Sequence, residues 1–212
     1  MESPAGEISV SPGRGAVNVS VTSLREARFA TVIRQEHDFS CGSAALATLL
    51  THHYGRPTTE KEAFKEMFAH GDQEKIQRYG FSLLDMKRYM QSRGLAADGF
   101  RVSLDKLVEV GVPAVTLINT QGYKHFVVVK GLRDGDVLVG DPALGLRTMP
   151  RAEFEAQSEG VVFVIRDELE VGQASFDRDE EWLVRRKAPF GTALSRRGLA
   201  GYGFSLPGYN EF

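Results

Sequence analysis

Apolar residues recur at helical spacing through the first half of the chain and gather into short β-branched runs in the second. From Gly42 to His53 the positions Ala45, Leu46, Leu49 and Leu50 share one face, which predicts a helix apolar on one side. Asp38 and Ser40 precede it as natural N-caps, so Cys41 falls in its first turn. Gly55 and Pro57 stop that helix. Thr59 and Glu62 form a capping-box pattern that opens a second helix, to about Ala69. Residues 71–79 are polar and read as a loop. Ser82 and Asp85 open a third helix over Leu83–Ser92, with Gly94 placed to end it. Residues 103–110 are short and amphipathic, closed by Gly111-Val112-Pro113.

Residues 114–118 are continuously apolar, 125–132 are Val-rich, and Asp134-Gly135 is a hairpin turn signal before the run 137–139. Residues 146–149 and 161–165 predict further strands, and 30–33 reads as an earlier one. Helices followed by strands indicate an α+β domain, with an N-terminal helical half packed on a C-terminal antiparallel sheet. The expected organisation is a flexible lead-in over 1–24, with one short strand at 16–21, a domain over 25–166, and an extension over 167–212. That extension is charged, then rich in glycine and aromatics (Tyr202, Phe204, Tyr209, Phe212), and either drapes over the domain or is mobile. If its aromatics are exposed, it reads as a docking arm. There is no internal repeat.

Composition narrows the function. With 42% hydrophobic residues in 212, one sizeable core can form. The net charge of -2 and the mixed distribution of charges argue against nucleic acid as a partner. No run approaches the ~20 apolar residues of a membrane-spanning helix, so no integral membrane segment is expected. The N-terminus lacks the apolar core of a signal peptide, so the chain reads as cytoplasmic or as a mature form. The single cysteine excludes internal disulfides and argues against a cysteine-based zinc site. No second ligand stands at metal spacing near His125, so neither metal nor cofactor is expected.

A lone cysteine is either an inert buried thiol or a nucleophile, and the thiolate is the reactive form. The start of a helix favours that anion through unpaired N–H groups and the macrodipole. Gly42 beside Cys41 would leave room for a substrate backbone. His125 opens a strand, and Asp141 ends the next strand after the Asp134-Gly135 hairpin. Hairpin pairing makes the two neighbours, the arrangement of a carboxylate orienting a base. Gln35, six residues before Cys41, can donate its amide to an oxyanion together with the Cys41 N–H.

Gln35-x5-Cys41-Gly42-x-Ala44-Ala45-Leu46, then His125-Phe126-Val127-Val128-Val129, then Asp141-Pro142-Ala143, resembles the C39 peptidases. Those are papain-like domains that remove leader peptides from bacteriocin precursors, usually after a double glycine. The resemblance spans about 31–165 and implies a papain-like fold. It implies Cys41 as nucleophile, His125 as base, Asp141 as its partner and Gln35 in the oxyanion hole. Unlike the transporter-linked members, the sequence shows no membrane domain and no P-loop. It is most similar to the stand-alone peptidases of functional-amyloid (Fap) secretion operons. That implies a periplasmic setting, and as partner a secreted peptide or protein substrate, such as an amyloid subunit, cut at a small-residue, Gly-rich site.

The alternatives are a non-cleaving module that binds a leader or secreted subunit, and an acyl transfer to an amine in place of water. Among the other histidines, His37 is expected on the rim of the site and His52-His53 at terminal carbonyls or solvent, while His70 falls in a loop. Trp182 is expected to pack on the domain, and Arg185-Arg186-Lys187 to be a solvated face.

Overall fold

A computed structural model describes residues 6–10, 17–21, 24–120 and 122–185. The Gly- and aromatic-rich stretch with Tyr202, Phe204, Tyr209 and Phe212, and the pair Arg186-Lys187, lie outside them. In the lead-in, β1 (Gly6–Val10) pairs antiparallel with β2 (Val17–Val21), so the expected strand has a partner that the reading missed. A short helix α1 (Leu24–Arg28) follows.

Residues 30–33, expected as a strand, form a turn and bend. Two of their backbone groups go to side chains and not to a ladder. Ile33 N–H donates to Thr48 Oγ1 at 2.9 Å, and Thr31 C=O accepts from Lys130 Nζ at 2.8 Å. Val32 still buries its side chain, against Leu138, Leu146 and Trp182.

The helical half comprises α2 (Cys41–His53), α3 (Glu60–His70), α4 (Gln73–Tyr79) and α5 (Leu83–Ser92). The helix α2 is more deeply set than a one-sided stripe implies, because every residue from Cys41 to Leu50 is buried. Gly42, Ser43, Ala44, Ala45 and Ala47 supply small side chains on the faces that the leucines leave, so neighbours close in all round. The helices α3 and α5 start with the capping boxes Thr59/Glu62 and Ser82/Asp85. The expected loop at 71–79 is instead the helix α4, capped by Asp72 and stopped by Gly80 at φ 77°. Ile76 is its one buried residue, too little for a visible period.

The sheet half contains β3 (Ala97–Arg101), α6 (Leu104–Val110), β4 (Ala114–Thr120), β5 (Tyr123–Arg133), β6 (Asp136–Asp141), β7 (Gly145–Pro150), α7 (Arg151–Gln157) and β8 (Ser158–Ile165). Six strands lie in the order β3-β8-β4-β5-β6-β7, and each neighbouring pair is antiparallel. The Asp134-Gly135 turn has both residues at positive φ, 50° and 82°, as a tight hairpin requires. One face of the sheet packs Val115, Val128 and Phe163 against Leu46, Leu49 and Met86 of the helical half. The other packs Val127, Val129 and Val139 against Leu107 of α6 and Phe154 of α7.

Beyond β8, α8 (Leu169–Ser175) and a 3-10 turn (Asp179–Arg185) lie back on the domain. The His53 ring lies 3.0 Å from Ser175 Oγ, which ties α8 to the end of α2. Lys130, fully buried at a bulge in β5, pairs with buried Glu181, and Arg178 adds a second cation 3.0 Å away. Trp182 is buried, and its ring N–H donates to Asp177 Oδ1 at 2.8 Å.

Candidate active site

Cys41 is the first residue of α2 and is 6% exposed. Ser40 occupies the N-cap position, yet its hydroxyl makes no cap. It donates back to His37 C=O at 2.9 Å and accepts from His37 N–H at 3.1 Å. Asp38 does not cap the helix either. The first-turn N–H groups beside Cys41 are therefore left without a side-chain acceptor, which suits an anion at this end.

Val128 pairs with Gly140, so the start of β5 and the end of β6 lie at the same end of the sheet. There His125 Nε2 is 2.8 Å from Asp141 Oδ1, with both side chains buried. The carboxylate is held from all sides. Its Oδ1 accepts from Ala143 N–H at 2.9 Å and Leu144 N–H at 3.2 Å, while Oδ2 meets Arg147 at 3.1 Å. Nδ1, the other ring nitrogen of His125, is buried without a hydrogen-bond partner among the described residues. Cys41, together with Asp141, is near enough to the ring to favour its protonated form.

The electrostatics follow from these contacts. Burial pushes the His125 imidazole down, but the hydrogen bond to Asp141 and the interaction with neighbouring Cys41 outweigh it and bring the pKa up to about 9. For Asp141 burial pushes upward, and the His125 contact, the backbone donor of Ala143 and the Arg147 charge prevail, holding the carboxyl below its usual range.

Gln35 sits in the loop ahead of α2. Its N–H donates to Pro142 C=O at 3.1 Å, which ties this loop to the Asp141 turn. Its side-chain amide donates to His37 C=O at 3.0 Å, leaving one amide hydrogen for another acceptor. The structure thus brings Cys41, His125 and Asp141 together and keeps Gln35 beside them. His37 is exposed and stacks on Phe39, with ring centroids 5.6 Å apart.

Two readings near the site need correction. Gly42 does not open space for substrate: a Cβ there would lie 2.9 Å from Met86 Cε and 3.0 Å from Phe81 Cβ. The glycine lets α2 seat against the core. His53 faces neither solvent nor the helix's own carbonyls; it is buried, and burial together with the cations Lys130 and Arg178 drives its pKa well down. Sequence reasoning also passed over Tyr123 and Arg147, because neither lies in a recognisable motif. Two signals were available. Tyr123 is two residues before His125, on alternate strand positions, and Arg147 lies across the turn from Asp141.

A thiol at a helix start, facing an imidazole held by a carboxylate on an antiparallel sheet, defines the class as a papain-like cysteine peptidase. The chain belongs to the Peptidase C39 family, whose pattern matches residues 30–170. It is 46% identical over 173 residues to the "Probable functional amyloid protease FapD" of Pseudomonas aeruginosa, covering 82% of this chain and 74% of that protein. Among solved structures, a double glycine motif protease from an AMS/PCAT transporter, in complex with the leader peptide, is 26% identical. It has a TM-score of 0.53 and covers 63% of this chain and 89% of that one. The peptidase domain of Streptococcus ComA shares the fold at a TM-score of 0.55 and 17% identity, over 64% of this chain and 96% of that one. No helix among the described residues is long and apolar enough to cross a membrane.

Proposed function

We propose that Cys41 is the nucleophile, His125 the general base and acid, Asp141 the residue that orients His125, and Gln35 an oxyanion donor. The observation that carries this reading is Cys41 at the start of α2, facing an imidazole that Asp141 holds at 2.8 Å. The Cys41 thiolate attacks the peptide carbonyl carbon, and the Cys41 N–H and the Gln35 amide hold the resulting oxyanion. The C–N bond breaks as His125 gives its proton to the leaving amine, leaving a thioester. Water, deprotonated by His125, then releases the acid and regenerates the thiol.

The cleft beside Cys41 is walled by Phe39, Tyr79 and Tyr123, with Gly80 and Gly122 between them, and it suits an extended chain with small residues at the cut. Its likeness to a functional amyloid protease supports a substrate of that export route, an amyloid subunit or another secreted component, met in the periplasm. In this reading 25–166 is the peptidase domain, flanked by the lead-in 1–24 and the extension 167–212.

The test is to incubate the purified protein, and Cys41→Ala, with a glycine-rich exported subunit, and to read product masses. Two fragments whose masses sum to substrate plus one water, absent with Cys41→Ala, support hydrolysis. An intact, bound substrate would instead mean a binding module, and an added amine would mean acyl transfer.

A further inference from the structure

Tyr123 bridges the two walls of the site. It stands on β5 two residues before His125, and its ring stacks on the imidazole, with centroids 5.7 Å apart and planes 26° from parallel. Its hydroxyl donates to Asp38 C=O at 2.9 Å, in the loop that leads into Cys41. The Gln35 side chain lies beside the same hydroxyl. Thus one side chain touches the base, the loop before the nucleophile and the oxyanion candidate. It is nevertheless 50% exposed and lines the cleft with Cys41. A half-exposed tyrosine contributes modestly to stability, so this concentration of contacts points to another role.

We propose that Tyr123 is a positioning residue for His125. Its ring covers one face of the imidazole and favours the imidazolium through its π-face, and its hydroxyl clamps that ring in place across the cleft. A cation over an aromatic face is favoured most where water is excluded, and His125 is only 5% exposed. Screened from water, the imidazolium also attracts a thiolate at Cys41 more strongly. The proposal rests on Cys41 and His125 acting as a pair, so the test must separate failure of the pair from failure of the tyrosine.

Iodoacetamide alkylation of Cys41 against pH does so, because there is one cysteine to label. Four proteins are compared: wild type, His125→Ala, Tyr123→Leu and Tyr123→Phe, each checked for folding by circular dichroism. The wild type should label fast well below pH 8, and His125→Ala should lose that limb. Tyr123→Leu should move the limb upward by about one pH unit, so that labelling at pH 6 slows about tenfold. Tyr123→Phe keeps the ring and should move it by less than half as much. If His125→Ala matches wild type, the pair itself fails and the proposal with it. If His125→Ala shifts the limb while Tyr123→Leu overlays wild type, the pair stands and Tyr123 is a bystander. Equal shifts in the Leu and Phe variants would assign the effect to the hydroxyl and overturn the role given to the ring.

Discussion

Replacing Asp141 with asparagine removes a charge from His125 while keeping the shape of the site. The asparagine oxygen can still accept from the Ala143 and Leu144 N–H groups, so the turn should survive. What is lost is a charge-assisted hydrogen bond of 2.8 Å between two buried groups. Such bonds contribute about 1.5–3 kcal/mol, and about 1.4 kcal/mol corresponds to one pH unit. The His125 pKa, about 9 in the native protein, should therefore fall to roughly 7–8. Folding stability should follow. A histidine with a folded pKa above its unfolded value of 6.5 contributes stability that is fully present below 6.5 and is lost as pH rises through about 9. In the native protein that contribution is on the order of 3 kcal/mol, and in Asp141→Asn it shrinks to about 1–2 kcal/mol. The assay is NMR titration of labelled imidazoles, with His125→Ala to assign the signal, plus urea unfolding at pH 6 and pH 10. Lys130 also titrates in this range, since burial lowers its amine to about 8, so the difference between the two proteins is the quantity to read. If His125 in Asp141→Asn still titrates near 9, the carboxylate is not what holds the imidazolium.

Lys130→Met should destabilise by about 2–3 kcal/mol in urea unfolding, because it leaves the buried carboxylate of Glu181 with the partly exposed Arg178 and without its buried cation. The double variant Lys130→Met/Glu181→Leu should recover most of that loss; no recovery would mean that the pair is not the source of the cost. Gly42→Ala should cost about 1–3 kcal/mol by crowding Met86 and Phe81. A Gly42→Ala protein of native stability would show that α2 has slack against the core. Gln35→Ala should lower kcat on a cleaved reporter peptide by about 10²–10³ with KM little changed, and an unchanged kcat would remove Gln35 from the oxyanion hole.

The parts of the fold that were legible in the sequence carry strong local signals. The capping boxes at Thr59/Glu62 and Ser82/Asp85 each mark a helix start, and Asp134-Gly135 marks the turn that sets the β5–β6 pairing. That turn also explains why residues as far apart as His125 and Asp141 could be paired from the sequence alone. What escaped notice depended on tertiary contacts. The short helices α4, α7 and α8 bury only one or two residues each. Residues 30–33 look β-branched but send their backbone groups to Thr48 and Lys130, and Gly42 looks like a substrate-facing glycine until Met86 and Phe81 are seen against it. The bond from the Tyr123 hydroxyl to Asp38 C=O has no signature at all, because it depends on how two walls meet.

That meeting of walls bears on how the chain acquires its chemistry. Cys41 and His125 are about eighty residues apart and come from opposite halves of the domain. Loop closure over such a distance is entropically costly and comes late relative to helix formation. During synthesis α2 leaves the ribosome long before β5 exists, so the nascent thiol has no imidazole beside it. An incomplete chain therefore carries an ordinary, slow thiol and cannot attack its neighbours or itself. The docking of β5 and β6 onto the helical half is the step that arms the enzyme. Thiol reactivity would then report that docking in real time, with no added label.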